Sequence, residues 1–202
     1  MDPEKKKRIE QLALQIKALC ALRLTKQDNQ PAEIVEGLFQ GSIGAALAKD
    51  NLKKLGITHV LTVADKIKPS FPDEFTYKCI PALDTPTQNI LKFFEEANEF
   101  IEAALSGDGK VLVHCFAGKS RASSFVLAYL IKKRYMSLKD AFELVRSRRE
   151  VAAPNAGFFV QLKAYEKAIH GTLSDFQIPQ EKKPDELEAG VPESGAAGSG
   201  ES

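Results

Sequence analysis

The chain has 202 residues, 44% hydrophobic and 27% charged, which fits one soluble globular domain with a core large enough to need no disulfide or metal staple. A formal net charge of +1 at pH 7 gives no global field toward nucleic acid or an anionic membrane, so neither is expected as a partner. Three widely spaced cysteines, Cys20, Cys79 and Cys115, form no CxxC pair, which points to a reducing compartment; His59, His114 and His170 do not fall at zinc-ligand spacing with them, so no metal site is expected.

Residues 1–30 hold seven Lys/Arg against four Asp/Glu. Ile9, Leu12, Ile16 and Leu19 recur on one helix face, which predicts an N-terminal amphipathic helix over roughly residues 4–26, bounded by Pro31. No apolar signal core leads the chain and no apolar stretch reaches membrane-spanning length. A cytoplasmic location without a membrane span is therefore expected, and the basic run Lys5-Lys6-Lys7-Arg8 leaves nuclear entry open.

Residues 31–170 read as the core domain. Two short strands around a glycine turn are predicted over 33–41, a helix over 45–55 stopped at Gly56, and a buried strand over 57–63. A strand over 75–83, interrupted by Pro81, precedes an amphipathic helix over 89–105. Residues 110–115 form a short apolar strand, followed by helices over 120–134, 138–148 and 155–170. This alternation predicts an α/β fold with a mostly parallel central sheet flanked by helices. Residues 171–202 hold two lysines against seven acids and become rich in Gly, Ser, Ala and Pro, which predicts a disordered acidic tail.

The chemistry concentrates in His114-Cys115-Phe116-Ala117-Gly118-Lys119-Ser120-Arg121. A cysteine ends a buried strand, five residues turn the chain and an arginine opens a helix. Ligands of open parallel sheets bind beyond the carboxyl ends of the strands, where Cys115 falls. Amides of Phe116, Ala117, Gly118, Lys119 and Ser120 can form an anion nest, reinforced by the following helix N-terminus. Gly118 admits the tight turn, and the Arg121 fork matches two oxygens of a phosphoryl group. A thiol becomes a good nucleophile when helix N-termini and cations favour its thiolate, so the phosphate cradle also suits Cys115 for attack. His114 is expected to donate a hydrogen bond behind the cysteine and shape the loop. The leaving oxygen needs a proton, and Asp84, directly after a predicted strand, is the candidate acid and later base. Arg121 and the backbone would carry the transition-state charge with neither metal nor cofactor.

His-Cys-x5-Arg with the preceding Asp84-Thr85-Pro86 resembles the cysteine-dependent dual-specificity protein phosphatases. Ala128-Tyr129-Leu130-Ile131 and Pro154-Asn155-Ala156-Gly157-Phe158 add to the likeness, which spans about residues 31–168 and looks closest to small plant-type members. The resemblance implies that family's α/β fold and hydrolysis of phosphotyrosine and phosphoserine or phosphothreonine in proteins, through a phosphocysteine intermediate. It also implies that Asn155 supports the phosphate loop. The chain departs from the family pattern at Ala122, where a Ser or Thr often assists departure of the cysteine thiolate; Ser123 and Ser124 follow instead.

Other readings stand beside these. Asp65 also follows a strand, but its setting Ala64-Asp65-Lys66 does not match the acid segment, and a surface loop is expected for it. Lys119 reads as a solvent-facing lysine, although phosphoinositide-directed relatives carry one there. Cys79 and Cys20 are expected to pack, Cys79 in the core and Cys20 on the N-terminal helix. That helix could fold onto the catalytic domain, bind calmodulin as a basic amphipathic segment, or dock a mitogen-activated protein kinase through Leu12-x-Leu14. The alternatives for function are a phosphoinositide or glucan phosphatase and a phosphoprotein-binding module without turnover.

Overall fold

In a computed structural model, which describes residues 2–179, five strands form one sheet in the order β1-β2-β5-β3-β4. The strands are β1 (Ala32–Val35), β2 (Leu38–Gly41), β3 (His59–Val63), β4 (Thr76–Ile80) and β5 (Val111–His114). β1 pairs antiparallel with β2, and every other pairing is parallel, as the alternation of strands and helices predicts.

Successive strand residues face opposite sides, and both sides are apolar. Leu38, Leu61, Val63, Val111 and Val113 enter the larger core, whereas Phe39, Val60 and Leu112 enter a smaller one with Leu52, Ile57 and Phe75. Helices α2 (Ile43–Leu47) and α3 (Lys49–Lys54) cover the smaller core. Helices α4 (Phe94–Ser106), α5 (Arg121–Lys133), α6 (Leu138–Arg148) and α7 (Ala156–His170) build the larger one. α5 is buried on all sides from Ala122 to Ile131, and Phe94 packs edge-on against Phe125 and Tyr165 at centroid distances of 5.3 and 5.0 Å. Each such fully buried side chain contributes about 2–3 kcal/mol of transfer free energy.

Several expectations need correction. The helix predicted over 45–55 is two helices broken at Ala48, and the first is capped by Ser42, whose Oγ accepts from Gly44 N. The start of the helix predicted from Asn89 is a 3-10 turn, Leu91–Phe93, where Gln161 Oε1 accepts the amides of Ile90 and Leu91. Cys79 is exposed instead of packed, because β4 is an edge strand. Cys79 pairs with Thr62 and Thr62 with His114, so two interstrand spacings, roughly 9–10 Å, separate Cys79 from the Cys115 strand; a disulfide between them is out of reach.

Helix α1 (Pro3–Gln27) lies along α2. Its periodic face does not fold onto the domain: Ile9, Leu12, Ile16 and Leu19 are 50–66% exposed, and Cys20 is exposed as well. At the other end, residues 171–179 run without helix or strand, yet Phe176 is buried against Phe142 and Phe159. The rest of the tail expected to be disordered, 180–202, lies outside the described residues. Among the described residues no helix is long and apolar enough to cross a membrane, and no group of three or more His, Cys, Asp or Glu could hold a metal ion.

Candidate active site

Parallel pairing of β2, β5, β3 and β4 brings their carboxyl ends to one edge of the sheet. Cys115 follows β5 directly, Asp65 lies two residues after β3, and Asp84 four residues after β4. Sequence-distant residues thus converge where open α/β sheets bind ligands.

From Cys115 to Ser120 every backbone carbonyl is tied to the back of the loop. Cys115 O accepts from His114 Nδ1 at 3.3 Å, Phe116 O from Ile43 N at 3.0 Å, and Ala117 O from Arg149 Nη2 at 3.4 Å. Gly118 O accepts from Gln40 Nε2 at 3.2 Å and Arg149 Nε at 2.9 Å. Lys119 O accepts from Ala153 N and Ser123 Oγ, and Ser120 O from the amide and hydroxyl of Ser124. A peptide whose carbonyl points outward points its amide inward. Gly118 N–H donates to Cys115 Sγ at 3.2 Å, and among the described residues the amides of Phe116, Ala117, Lys119 and Ser120 donate to no protein acceptor. The result is a concave set of free donors around a buried sulfur, the arrangement that binds a tetrahedral oxyanion.

Gly118 is required in this turn. Its φ is +64°, and a Cβ there would stand 2.5 Å from both Gly41 O and an Arg149 nitrogen.

Arg121 opens α5 and reaches across to the acid segment. Its Nη1 donates to Ala82 O at 3.2 Å, and its Nε lies 3.4 Å from Asp84 Oδ2. That contact is an ion pair and not a hydrogen bond, so the buried Nε keeps an unused donor. Asp84 Oδ1 accepts from Ser120 Oγ at 2.6 Å and from Asn155 Nδ2 at 3.0 Å. Asn155 also caps α7, its Oδ1 accepting from Phe158 N, while its own amide donates to Ser120 Oγ. Gly157 lets the acid segment sit against α7, since a Cβ there would meet Pro86 O at 2.0 Å.

His114 is 2% exposed, between Cys115 O and Thr62 Oγ1, the latter 2.9 Å from its Nε2. A carbonyl can only accept, so Nδ1 carries the proton and Nε2 accepts from the Thr62 hydroxyl. Burial lowers the pKa of His114 to about 4 from its ordinary 6.5; the bond to Cys115 O opposes the shift and the charge of Arg121 adds to it.

A cleft of about 450 Å³ opens beside the loop, lined by Leu14 and Ala18 of α1 with Ile43, Ile67, Phe116 and Arg121. Asp65 and Lys66 share its wall, and Asp65 makes a 4.0 Å ion pair with Lys66. Lys119 is exposed to solvent. Neither Ser123 nor Ser124 replaces the hydroxyl missing at Ala122, because both are bonded to loop carbonyls.

Sequence reasoning overlooked Gln40, Thr62, Arg149 and Asp28. Gln40 and Thr62 carry a signal, since each is a polar side chain flanked by apolar or glycine residues within a strand, and both are buried. Nothing local distinguishes Arg149 from Arg146 and Arg148, or Asp28 from an ordinary residue after a helix.

Residues 38–168 match the family model of the dual specificity phosphatase catalytic domain. The chain is 43% identical to Dual specificity protein phosphatase 1 of Arabidopsis thaliana over 159 residues, covering 79% of this chain and 80% of that protein. Dual specificity protein phosphatase 1B of the same plant is 49% identical over 140 residues, 69% of this chain and 84% of that one. Among solved structures, human tyrosine phosphatase-like serine/threonine/tyrosine-interacting protein superposes with a TM-score of 0.68 at 40% identity, covering 71% of this chain and 99% of that one. Human DUSP28 does so with 0.66 at 34% identity, covering 69% and 95%.

Proposed function

The chain belongs to the dual specificity phosphatase family, and from that premise we propose that Cys115 is its nucleophile, Arg121 its phosphoryl clamp and Asp84 its general acid and base. The protein is a phosphatase of phosphotyrosine and phosphoserine or phosphothreonine in proteins. The single observation that supports the Cys115 role is the loop itself: every carbonyl from Cys115 to Ser120 is tied at its back, which turns the succeeding amides toward the buried sulfur.

In the first step the Cys115 sulfur attacks phosphorus, the bond to the ester oxygen breaks, and Asp84 gives that oxygen a proton. Ser120 and Asn155 hold Asp84 Oδ1, which leaves Oδ2 to carry the proton once the substrate draws Arg121 onto its phosphoryl oxygens. In the second step Asp84 takes a proton from water, the water oxygen bonds to phosphorus, and the sulfur–phosphorus bond breaks. Inorganic phosphate and the Cys115 thiolate are released. The loop amides and Arg121 bind the equatorial oxygens through both steps.

Mitogen-activated protein kinases are the proposed targets among phosphoproteins, and calmodulin the proposed ligand of α1, whose exposed apolar residues stand on the same helix as the exposed Lys5, Lys6, Lys7 and Arg8. A calcium-dependent complex with the full chain, lost in Leu12→Glu, is the expected result for calmodulin.

Hydrolysis of a small aryl phosphate in a metal-free reducing buffer tests the catalytic roles. Loss of turnover in Cys115→Ser and strong depression in Asp84→Ala are expected. Wild-type protein that binds a phosphorylated ligand tightly but never turns it over would overturn the assignment in favour of a binding module.

A further inference from the structure

Arg149 follows α6 and enters the back of the loop, 7% exposed. Its Nε donates to Gly118 O at 2.9 Å and its Nη2 to Ala117 O at 3.4 Å. The same guanidinium makes a two-pronged bond to Asp28, Nη1 to Oδ1 at 3.1 Å and Nη2 to Oδ2 at 2.7 Å. Asp28 comes directly after α1, and its carbonyl accepts from Ser42 Oγ. Ser42 is the cap of α2, whose first amide, Ile43 N, donates to Phe116 O. Three consecutive loop carbonyls, 116, 117 and 118, are therefore held by one assembly that begins where α1 ends.

The pairing with Asp28 determines how firmly that assembly holds. A guanidinium bound only to carbonyls would be a buried charge without a counterion, and its plane could tilt. A bidentate carboxylate removes both problems, because it neutralises the charge and fixes the fork in one plane. With the fork fixed, the Ala117 and Gly118 carbonyls stay outward and the succeeding amides stay inward. Burial raises the Asp28 pKa, but hydrogen bonding from Arg149 and Ser42, with the Arg149 charge, outweighs it and leaves the carboxyl below its ordinary value.

Resting on the Cys115 reading, we propose that Arg149, aligned by Asp28, is a positioning residue for the phosphate loop, so that the end of α1 sets how well the loop amides are aimed at the transferring phosphoryl group. Amides aimed at equatorial oxygens matter more in the transition state, where charge and geometry change, than in the bound ester. Disturbing the pair therefore lowers kcat and leaves KM nearly unaltered.

The test uses the full chain and an aryl phosphate, with rates expressed per folded molecule. Asp28→Asn keeps shape and loses charge; it is expected to lower kcat about tenfold with KM within about twofold. Vanadate, which mimics the five-coordinate phosphorus, should lose about the same factor in inhibition, and inorganic phosphate about twofold or less. Asp28→Glu, which restores a carboxylate, should recover part of the rate, and Arg149→Lys should fall further than Asp28→Asn. Lys139→Gln, which breaks an exposed ion pair with Asp175, serves as the control with unchanged kinetics.

Variants that melt earlier but keep wild-type kcat and vanadate affinity would reduce the pair to a structural tie and overturn the proposal. So would a defect of equal size in Asp28→Glu and Asp28→Asn, or one carried wholly by KM. Cys115→Ser, assayed alongside, separates the two readings. Turnover that survives it defeats the nucleophile assignment; Cys115-dependent turnover with normal Asp28→Asn kinetics defeats this proposal alone.

Discussion

Acidification from pH 7 to pH 5 is expected to destabilise the folded protein by about 2 kcal/mol through His114 alone. The folded state keeps this imidazole neutral down to about 4, while the unfolded chain takes up the proton at about 6.5. Between those values the unfolded state binds more protons. The stabilisation is therefore complete above 6.5 and is lost as pH falls toward 4, at up to about 1.4 kcal/mol per pH unit. The physical cause is first the burial of the ring, which strips water from a charged imidazole; the Arg121 charge adds to it and the bond to Cys115 O opposes it. Urea unfolding at intervals between pH 5 and 7 reads the effect, with wild type compared with His114→Asn. His59, whose pKa burial also lowers, contributes with the same sign in both proteins and cancels in the comparison. Asp28, Glu74 and Glu95 have lowered values and release their contributions only below 3.8, 4.5 and 4.5, outside the window. The variant should be less stable at pH 7 and show a shallower pH dependence by about 2 kcal/mol over the window. Parallel curves for the two proteins would refute the reasoning.

Asp84→Asn should lower kcat/KM, which reads the step that expels the ester oxygen, by about 10²–10³ toward alkyl phosphates and less toward aryl phosphates with acidic leaving groups; a kcat/KM defect independent of the leaving group would remove Asp84 as the acid. Gly118→Ala forces a Cβ against the Gly41 carbonyl at positive φ, so a loss of about 2 kcal/mol or more in stability is expected together with turnover, and a wild-type thermal midpoint would count against the loop geometry. Wild-type enzyme should release its alcohol or phenol in a rapid burst before slower phosphate release, because no hydroxyl stands at Ala122. Ala122→Ser should abolish the burst and raise steady turnover severalfold, as stopped-flow measurement of the phenol would reveal.

Much of the fold was legible because its signals act over a few residues. Turn and cap residues punctuate the chain at Gly37, Ser137 and Gly171, and the three helices after the loop begin and end within a residue of the predicted limits. The helix break at Ala48 and the 3-10 entry at Leu91 were not legible. Neither carries a local breaker, and the 3-10 entry is met by a distant partner, Gln161, which accepts the amides of Ile90 and Leu91.

The chemistry divides along the same line. A cysteine, five residues and an arginine between a strand and a helix specify a nest of amides by backbone geometry alone, so the sequence by itself determined the loop, its glycine and the class of ligand. Tertiary structure decided what holds that loop: Gln40 from 78 residues upstream, Arg149 from 31 residues downstream, and Asp28 at the end of another helix. It also decided that Cys79 faces solvent and that Asp84 meets Ser120, Asn155 and Arg121. The physical reason is that a carbonyl's partner, or a strand's place at the edge of a sheet, depends on contacts between segments far apart in the chain, and no periodicity or spacing within either segment encodes them.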